Sequence, residues 1–342
     1  MRKLLNVLYV TNEDAYLAKE GEDVLIRIPE SQKIKIPSHN LEGIVCFGYQ
    51  GASTKLMAMC SEKNIGMSFH TPFGKFLCRV QGKTSGNILL RKTQYRYYDD
   101  NVKSCLIAKN FILGKLINYR NVLNRYKRDY QNKCSKKIDD NIIKITNSIK
   151  NVRSCEDLDV LRGIEGIGSK FYFDVFDELI LSEKDSFKFE CRNRRPPLDR
   201  VNALLSFIYV LLEHDMYSAI ESVGLDPQSG FLHRDRPGRN SLALDMMEEL
   251  RPYLGDRFAL KLINTKIIKK NDFIIKENGS VLIKEEGRKN ILTAWQKRKK
   301  NIIIHPFLDE KIEIGLIPYV QSLLFARYLR GDLDEYPPYI MK

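Results

Sequence analysis

The chain has 342 residues, 43% hydrophobic and 10% aromatic, with 56 Lys/Arg against 43 Asp/Glu and a formal net charge of +13. That length exceeds the roughly 250 to 300 residues at which single cores stop growing, so two domains are expected, and the composition excludes a disordered, collagen-like or low-complexity protein. The charge is concentrated: residues 91–153 carry 16 Lys/Arg against 5 Asp/Glu, the footprint of a polyanion-binding surface or of a solvated helical face, while residues 1–90 net +3 and residues 154–342 net −1.

Residues 1–85 read as β-rich. Residues 4–10 form a strand candidate; Arg2-Lys3 before Leu4-Leu5 looks briefly like a signal peptide, but Asn6 interrupts the apolar run and no small-residue cleavage site follows. Residues 16–19 and 24–28 flank Glu20-Gly21-Glu22-Asp23 as a hairpin, residues 33–36 alternate polar and apolar up to Pro37, and Ile44-Val45-Cys46-Phe47 precedes Gly48. A short helix near 53–63 interrupts the strands, and residues 65–69 and 75–80 pair around Thr71-Pro72-Phe73-Gly74. From about residue 88 the spacing is helical, which puts the boundary near 82–87. Helices are expected over 101–133, 135–148, 155–182, 200–223, 241–255 and 309–330, with a hairpin of 273–276 and 281–283 turning on Asn278-Gly279. The fold class is therefore α+β, a small N-terminal β-domain (residues 1–85) followed by a larger α-helical domain (residues 86–342). The longest apolar runs, such as 207–212, fall short of the roughly 18 residues of a membrane span, so no membrane association is expected. Seven cysteines without a C-x-x-C pair point to a reducing, cytoplasmic location.

Three stretches could carry chemistry. Gly163-Ile164-Glu165-Gly166-Ile167-Gly168-Ser169-Lys170 nearly fits a Walker A loop, but the order Gly-Ser-Lys is wrong and no strand leads into it. It also reads as a helix-hairpin-helix turn whose backbone N–H groups hold a phosphate, or as continuous helix with Glu165 beside a buried stripe. In the second stretch, His233 lies in a Gly/Pro/Arg-rich loop (230–239) before a helix with Ser241 as a plausible N-cap. At about 100° per residue, Leu242, Ala243, Met246, Met247, Leu250 and Tyr253 fill one arc, and Asp245 and Glu248 lie opposite. Glu249 falls nearer the apolar arc, so Glu249→Gln is expected to be mild. Two carboxylates with an upstream imidazole could bind Mg²⁺ or Mn²⁺, although an ordinary acidic helix face has the same pattern. Third, residues 192–200, with four arginines, and Lys297-Arg298-Lys299-Lys300 are phosphate-contact clusters or solvated helix ends. His39, His70, His214 and His305 read as structural or surface residues.

The blocks Leu161-Arg162-Gly163-Ile164-Glu165-Gly166, Arg195-Pro196-Pro197-Leu198-Asp199-Arg200-Val201-Asn202-Ala203-Leu204-Leu205, Gly224-Leu225-Asp226-Pro227 through His233, and Leu244-Asp245-Met246-Met247-Glu248 occur in that order. Together, over essentially the whole chain, they resemble the CRISPR-associated spacer-acquisition integrases, the universal "Cas-one" endonuclease family. The ending, Arg330-Gly331-Asp332-Leu333-Asp334-Glu335-Tyr336-Pro337-Pro338-Tyr339, looks like members from type I-C systems. The resemblance implies that Glu165, His233 and an acidic residue of the Asp245/Glu248 helix are catalytic metal ligands for Mg²⁺ or Mn²⁺. The family has Asp or Glu at the second acidic position, so Asp245, Glu248 or both are candidates. Lys170, Arg194, Arg195, Arg234, Arg236, Arg239, Lys297 and Arg298 are the candidate DNA contacts. The expected activity is a metal-dependent DNA endonuclease and integrase, in which a prespacer 3′-hydroxyl attacks a phosphodiester of the repeat in double-stranded or branched DNA. The expected partners are a second copy through residues 1–85, the small ferredoxin-like companion "Cas-two" and the trimming nuclease "Cas-four". The alternatives are a non-enzymatic DNA-binding scaffold using the helix-hairpin-helix-like turn and an unrelated metal-dependent RNase.

Overall fold

The computed structural model describes residues 6–29, 33–72, 76–80, 82, 88–130, 135–234 and 236–341. The expectations that touch residues 4–5, 73–75, 83–87 and 131–133 lie outside the described residues there. The chain opens with β1 (Asn6–Val10), β2 (Tyr16–Glu20), β3 (Asp23–Arg27), β4 (Ile34–Pro37), β5 (Leu41–Phe47), α1 (Thr54–Glu62), β6 (Gly66–His70) and β7 (Phe76–Val80). Strands β2, β3 and β4 form an antiparallel meander whose first turn uses Gly21 at φ +61°, a backbone setting that costs glycine nothing. The other sheet has the order β1-β5-β6-β7, with β1, β5 and β6 parallel. Parallel neighbours need a crossover, and the helix expected near 53–63 supplies it as α1. Ile44 and Cys46 face a small core with Leu17, Val24, Leu56 and Met59, while Val45 and Phe47 face the helices. Burial on both faces explains the unbroken apolar run at 44–47.

The rest is mainly helical: α2 (Ile88–Asp99), α3 (Asn101–Asp129), α4 (Lys136–Ser154), α5 (Leu158–Phe173), α6 (Arg200–Ser222), α7 (Ser241–Met247), α8 (Arg257–Asn264), the hairpin β8 (Phe273–Ile275) and β9 (Val281–Ile283), α9 (Glu285–Lys299), β10 (Ile302–Ile304), β11 (Lys311–Glu313) and α10 (Ile317–Leu329). The chain is thus mixed α+β, with most strands N-terminal and a helical C-terminal region. Asp100, Ser135, Asp157 and Asp199 cap α3, α4, α5 and α6, each accepting from a first-turn backbone N–H. The N-terminal sheet docks on α6 through polar contacts: Ser68 Oγ lies 3.1 Å from His70 Nε2 and 3.0 Å from His214 Nε2, and the Arg79 guanidinium sits 3.7 Å from the centre of the Tyr217 ring.

Several expectations change. Helix α5 runs unbroken through Gly163, Gly166 and Gly168, so these residues form neither a helix-hairpin-helix turn nor a phosphate loop, and the scaffold alternative loses its motif. Gly168 is needed for packing: a Cβ there would stand 2.5 Å from the Leu116 side chain, so glycine lets α5 approach α3 closely. Ser241 is the first helical residue of α7 and not its N-cap; it is buried, and Asn240 precedes it without a capping bond. The helix expected over 241–255 breaks after Met247 and resumes as a π-helical turn, Arg251–Asp256, at whose start Pro252 brings no N–H. The helix expected from 309 begins only at Ile317, because residues 311–313 pair with β10. Helix α6 is long and apolar enough to cross a membrane, but 67% of its most apolar window is buried inside the protein, as in a core helix.

Candidate metal and DNA site

Helix α3 places Lys115 at the centre of the helical region, 1% exposed. Its ammonium lies between carboxylates from two other elements: it hydrogen-bonds Glu165 Oε1 on α5 and stands 2.7 Å from Glu248 Oε2 just past α7. That second contact is a close ion pair between two buried groups. Glu248 Oε1 also pairs with Arg251 Nη1 at 3.0 Å, and Glu165 Oε1 accepts from Ser169 Oγ at 2.8 Å. Burial works to raise the Glu248 pKa, but Arg251 and Lys115 outweigh it and hold the carboxyl at about 2. The same contest ends the same way at Glu165, where burial is overcome chiefly by Lys115. Lys115 is held above the usual lysine value, the two carboxylates outweighing its own burial. All three groups are therefore charged at neutral pH.

His233 lies on a loop pinned from two sides. Asp245, 0% exposed, accepts from the backbone N–H of Phe231 (2.6 Å), Leu232 (2.9 Å) and His233 (3.1 Å), and from His233 Nδ1 (2.5 Å). From α5, Arg162 Nε donates to Leu232 O at 2.6 Å, and Asp159 accepts from Arg234 Nη2 at 2.8 Å. Gly230 makes the approach possible, because a Cβ there would lie 2.7 Å from both Asp245 Oδ2 and Ser241. With Nδ1 bound to Asp245, Nε2 is the ring nitrogen left to ligate, the arrangement in which a carboxylate fixes the tautomer of a metal-binding histidine.

Among the described residues no three His, Cys, Asp or Glu side chains come together as a ready metal cluster. The donor set nevertheless fits a divalent cation in its chemistry: two ionised carboxylates already enclose a positive charge, and His233 offers an imidazole nitrogen from a loop fixed by Asp245. Asp245 differs from Glu248 here, because both of its oxygens are taken by the 231–233 loop. Sequence reasoning missed Lys115, hidden as one cation among the many of residues 91–153, and Arg162, whose role needs the loop to be seen.

The candidate DNA contacts divide. Lys170, Arg194, Arg195, Arg234, Arg236 and Lys297 are exposed, and Arg239 is half-buried. Arg298 is committed internally: Nη2 donates to Tyr253 O at 2.5 Å, and its guanidinium lies over the Tyr253 and Phe258 rings. Next to it, Lys299 is buried with Nζ 3.0 Å from Asp215, so the run 297–300 is not one phosphate-binding cluster. Glu249 is also not mild in setting. It is 0% exposed and accepts from Gln321 Nε2 (2.8 Å), Tyr336 OH (2.7 Å) and Tyr339 N (3.1 Å), so it anchors the C-terminal segment. Its burial agrees with a place near the apolar arc; the sequence did not show the hydrogen-bond partners that meet it there.

A family model described as CRISPR associated protein Cas1 matches residues 8–297. The chain is 48% identical over its full length to the CRISPR-associated endonuclease Cas1 1 of Chlorobaculum tepidum, covering 100% of both chains, and 47% identical, with 100% of both covered, to the CRISPR-associated endonuclease Cas1 2 of Rhodospirillum rubrum. A CRISPR-associated exonuclease Cas4/endonuclease Cas1 fusion of Geobacter sulfurreducens is 30% identical over 98% of this chain and 60% of its own length. Among solved structures, a CAS1 protein from Thermotoga maritima has a TM-score of 0.83 at 23% identity, covering 96% of this chain and 97% of that one. A casposase bound to integration product has a TM-score of 0.85 at 23% identity, covering 98% and 94%. A Cas6-RT-Cas1–Cas2 complex has a TM-score of 0.80 at 18% identity over 100% of this chain and 36% of that one.

Proposed function

The chain belongs to the CRISPR-associated endonuclease Cas1 family, and from that premise we propose that it inserts prespacer DNA into a CRISPR repeat by metal-dependent transesterification. Glu165 and Glu248 would supply carboxylate oxygens and His233 its Nε2 to the ion, while Asp245, its oxygens taken by the 231–233 loop, would position His233. A divalent cation held there would polarise the phosphodiester and neutralise the charge that builds up during in-line displacement. A prespacer 3′-hydroxyl as nucleophile gives strand transfer, and water in its place gives nuclease activity. Transesterification conserves the number of phosphodiester bonds, so no nucleotide triphosphate is needed.

The reading is supported above all by the convergence of Glu165 and Glu248, 83 residues apart in sequence, on one buried cation, together with a histidine whose Nδ1 is already occupied by Asp245. Arg162 and Arg234 hold the His233 loop against α5, and Lys170, Arg194, Arg195, Arg236, Arg239 and Lys297 offer cations to the DNA backbone. We further assign residues 1–85 to dimerisation and 86–342 to catalysis. A Cas2-type companion and a Cas4-type nuclease are the proposed partners, on the strength of the Cas1–Cas2 complex and the Cas4/Cas1 fusion among its relatives, with a type I-C system in the cytoplasm as the setting.

The deciding experiment measures Mn²⁺-dependent cleavage and strand transfer on branched and linear DNA. Glu165→Ala and His233→Ala should each abolish both activities while DNA binding and cooperative unfolding persist. More than about a tenth of wild-type activity in both variants would sink the metal-site assignment, since losing one of three ligands should cost more than the 10- to 100-fold typical of outer-shell partners.

A further inference from the structure

The two carboxylates assigned to the metal already share a cation, and that cation belongs to the chain. The Lys115 ammonium hydrogen-bonds Glu165 and stands 2.7 Å from Glu248 Oε2, deep in the helical core. A divalent ion bonded to the same oxygens at about 2.1 Å would lie close against that ammonium. Two cations so near each other in a poorly solvated site repel strongly, so they are alternative occupants. A lysine stem is flexible, and one further buried carboxyl feels the Lys115 charge, after that of Arg251. That carboxyl is Asp256: it is 0% exposed, its Oδ1 accepts from Tyr209 OH at 2.5 Å, and its Oδ2 has no hydrogen-bond partner.

Resting on the metal-site reading above, we propose that Lys115 is a displaceable internal cation, which holds Glu165 and Glu248 together in the metal-free protein and moves its ammonium to Asp256 when the divalent ion enters. The arrangement solves a folding problem. Glu248, buried, and Glu165, half-buried, would repel each other without a cation between them, and an unpaired buried charge is strongly destabilising. Lys115 lets the site form before metal arrives, at the cost of weakening metal binding by the work of displacing it. Asp256 limits that cost by giving the expelled ammonium a partner, and so acts on the metal only through Lys115.

The test is Mn²⁺ binding to the full chain without DNA, by titration calorimetry, for wild type, Lys115→Met, Asp256→Asn and the double variant, with circular dichroism and metal-free melting temperatures alongside. Lys115→Met should melt lower without metal yet bind Mn²⁺ about tenfold more tightly, a size typical of coupling between two sites. Asp256→Asn should bind Mn²⁺ more weakly than wild type, and this effect should vanish when Lys115 is already Met. A merely structural Asp256 would weaken both backgrounds equally. Unchanged or weaker Mn²⁺ affinity in a natively folded Lys115→Met overturns the proposal. If that variant does not fold, a structure of the wild type with Mn²⁺ decides: an ammonium still on both carboxylates beside the ion overturns it, and one seated on Asp256 supports it. Failure of the underlying reading looks different, because Mn²⁺ would then bind wild type and Glu165→Gln alike, and the proposal would fall with it.

Discussion

Replacing Asp245 by Asn tests the difference between holding a ligand and being one. The four bonds that Asp245 accepts come entirely from donors: three backbone N–H groups of residues 231–233 and His233 Nδ1. An amide of the same shape must turn its NH₂ toward one pair of them, which leaves two buried donors facing another donor. At roughly 1 to 3 kcal/mol for each orphaned buried group, the folded state should lose about 2 to 6 kcal/mol. For a chain of this size that corresponds to a fall in melting temperature of roughly 3 to 8 °C. Loosening His233 should also lower Mn²⁺-dependent strand transfer about 10- to 100-fold, the range seen when an outer-shell partner of a metal ligand is lost. Scanning calorimetry of the metal-free protein reads the first effect, and a branched-DNA assay well below the melting temperature reads the second. A variant that melts within about 1 °C of wild type and keeps full activity would show that the loop carries His233 unaided, and the positioning role would be refuted.

Changing the exposed Lys144, Lys150 and Arg153 of α4 to Gln should weaken binding about equally for unrelated DNA sequences and reduce the log–log salt slope by about 0.9 for each phosphate that is no longer neutralised; an unchanged slope would make this face merely solvated. Stability should fall as pH rises from about 4.5 to 8, because burial pushes Glu249 up to about 8, outweighing the bonds from Tyr336, Gln321 and Tyr339 that favour its ionised form. The folded state then binds a proton that the unfolded state has released, a contribution fully present below the unfolded value, worth roughly 4 to 5 kcal/mol and lost as pH passes the folded one. Urea midpoints should therefore drop between pH 5 and 8.5 in wild type and vary less in Glu249→Gln; equal pH profiles would refute the assignment.

Much of the fold was legible because local signals agreed with tertiary demand. The turn at Gly21, the hairpin at Asn278-Gly279 and the apolar spacing of α3 and α6 each had one low-energy solution. Helix α9 escaped because its first turn carries Glu285 and Glu286 and its last Lys297, Arg298 and Lys299, so its buried residues, Ile291, Leu292 and Trp295, stand out weakly against charge. The glycine run 163–168 misled in the opposite direction, suggesting a turn where tertiary packing against Leu116 stabilises a helix that glycine alone disfavours. At the site, Glu165 and His233 were marked by neighbouring residue types, whereas Lys115 carried no local mark at all, since only burial and the two carboxylates distinguish it from other lysines of the basic segment.

The acids at 245, 248 and 249 show why helical periodicity could not finish the assignment. On a continuous helix Asp245 and Glu248 would share a face and Glu249 would lean toward the apolar arc. Ending α7 at Met247 releases that constraint, and the π-helical turn beginning at Arg251 brings a guanidinium back onto Glu248. Three neighbouring carboxylates thereby face three different partners: Asp245 the His233 loop, Glu248 the Lys115 ammonium, and Glu249 the C-terminal segment through Tyr336 and Tyr339. That segment also closes on α3, where Asn118 Nδ2 donates to both Glu249 O and Tyr339 O at 2.8 Å, one turn from Lys115. The last residues of the chain therefore brace the turn that presents Glu248, so the geometry of the proposed metal site depends on residues that carry none of its chemistry.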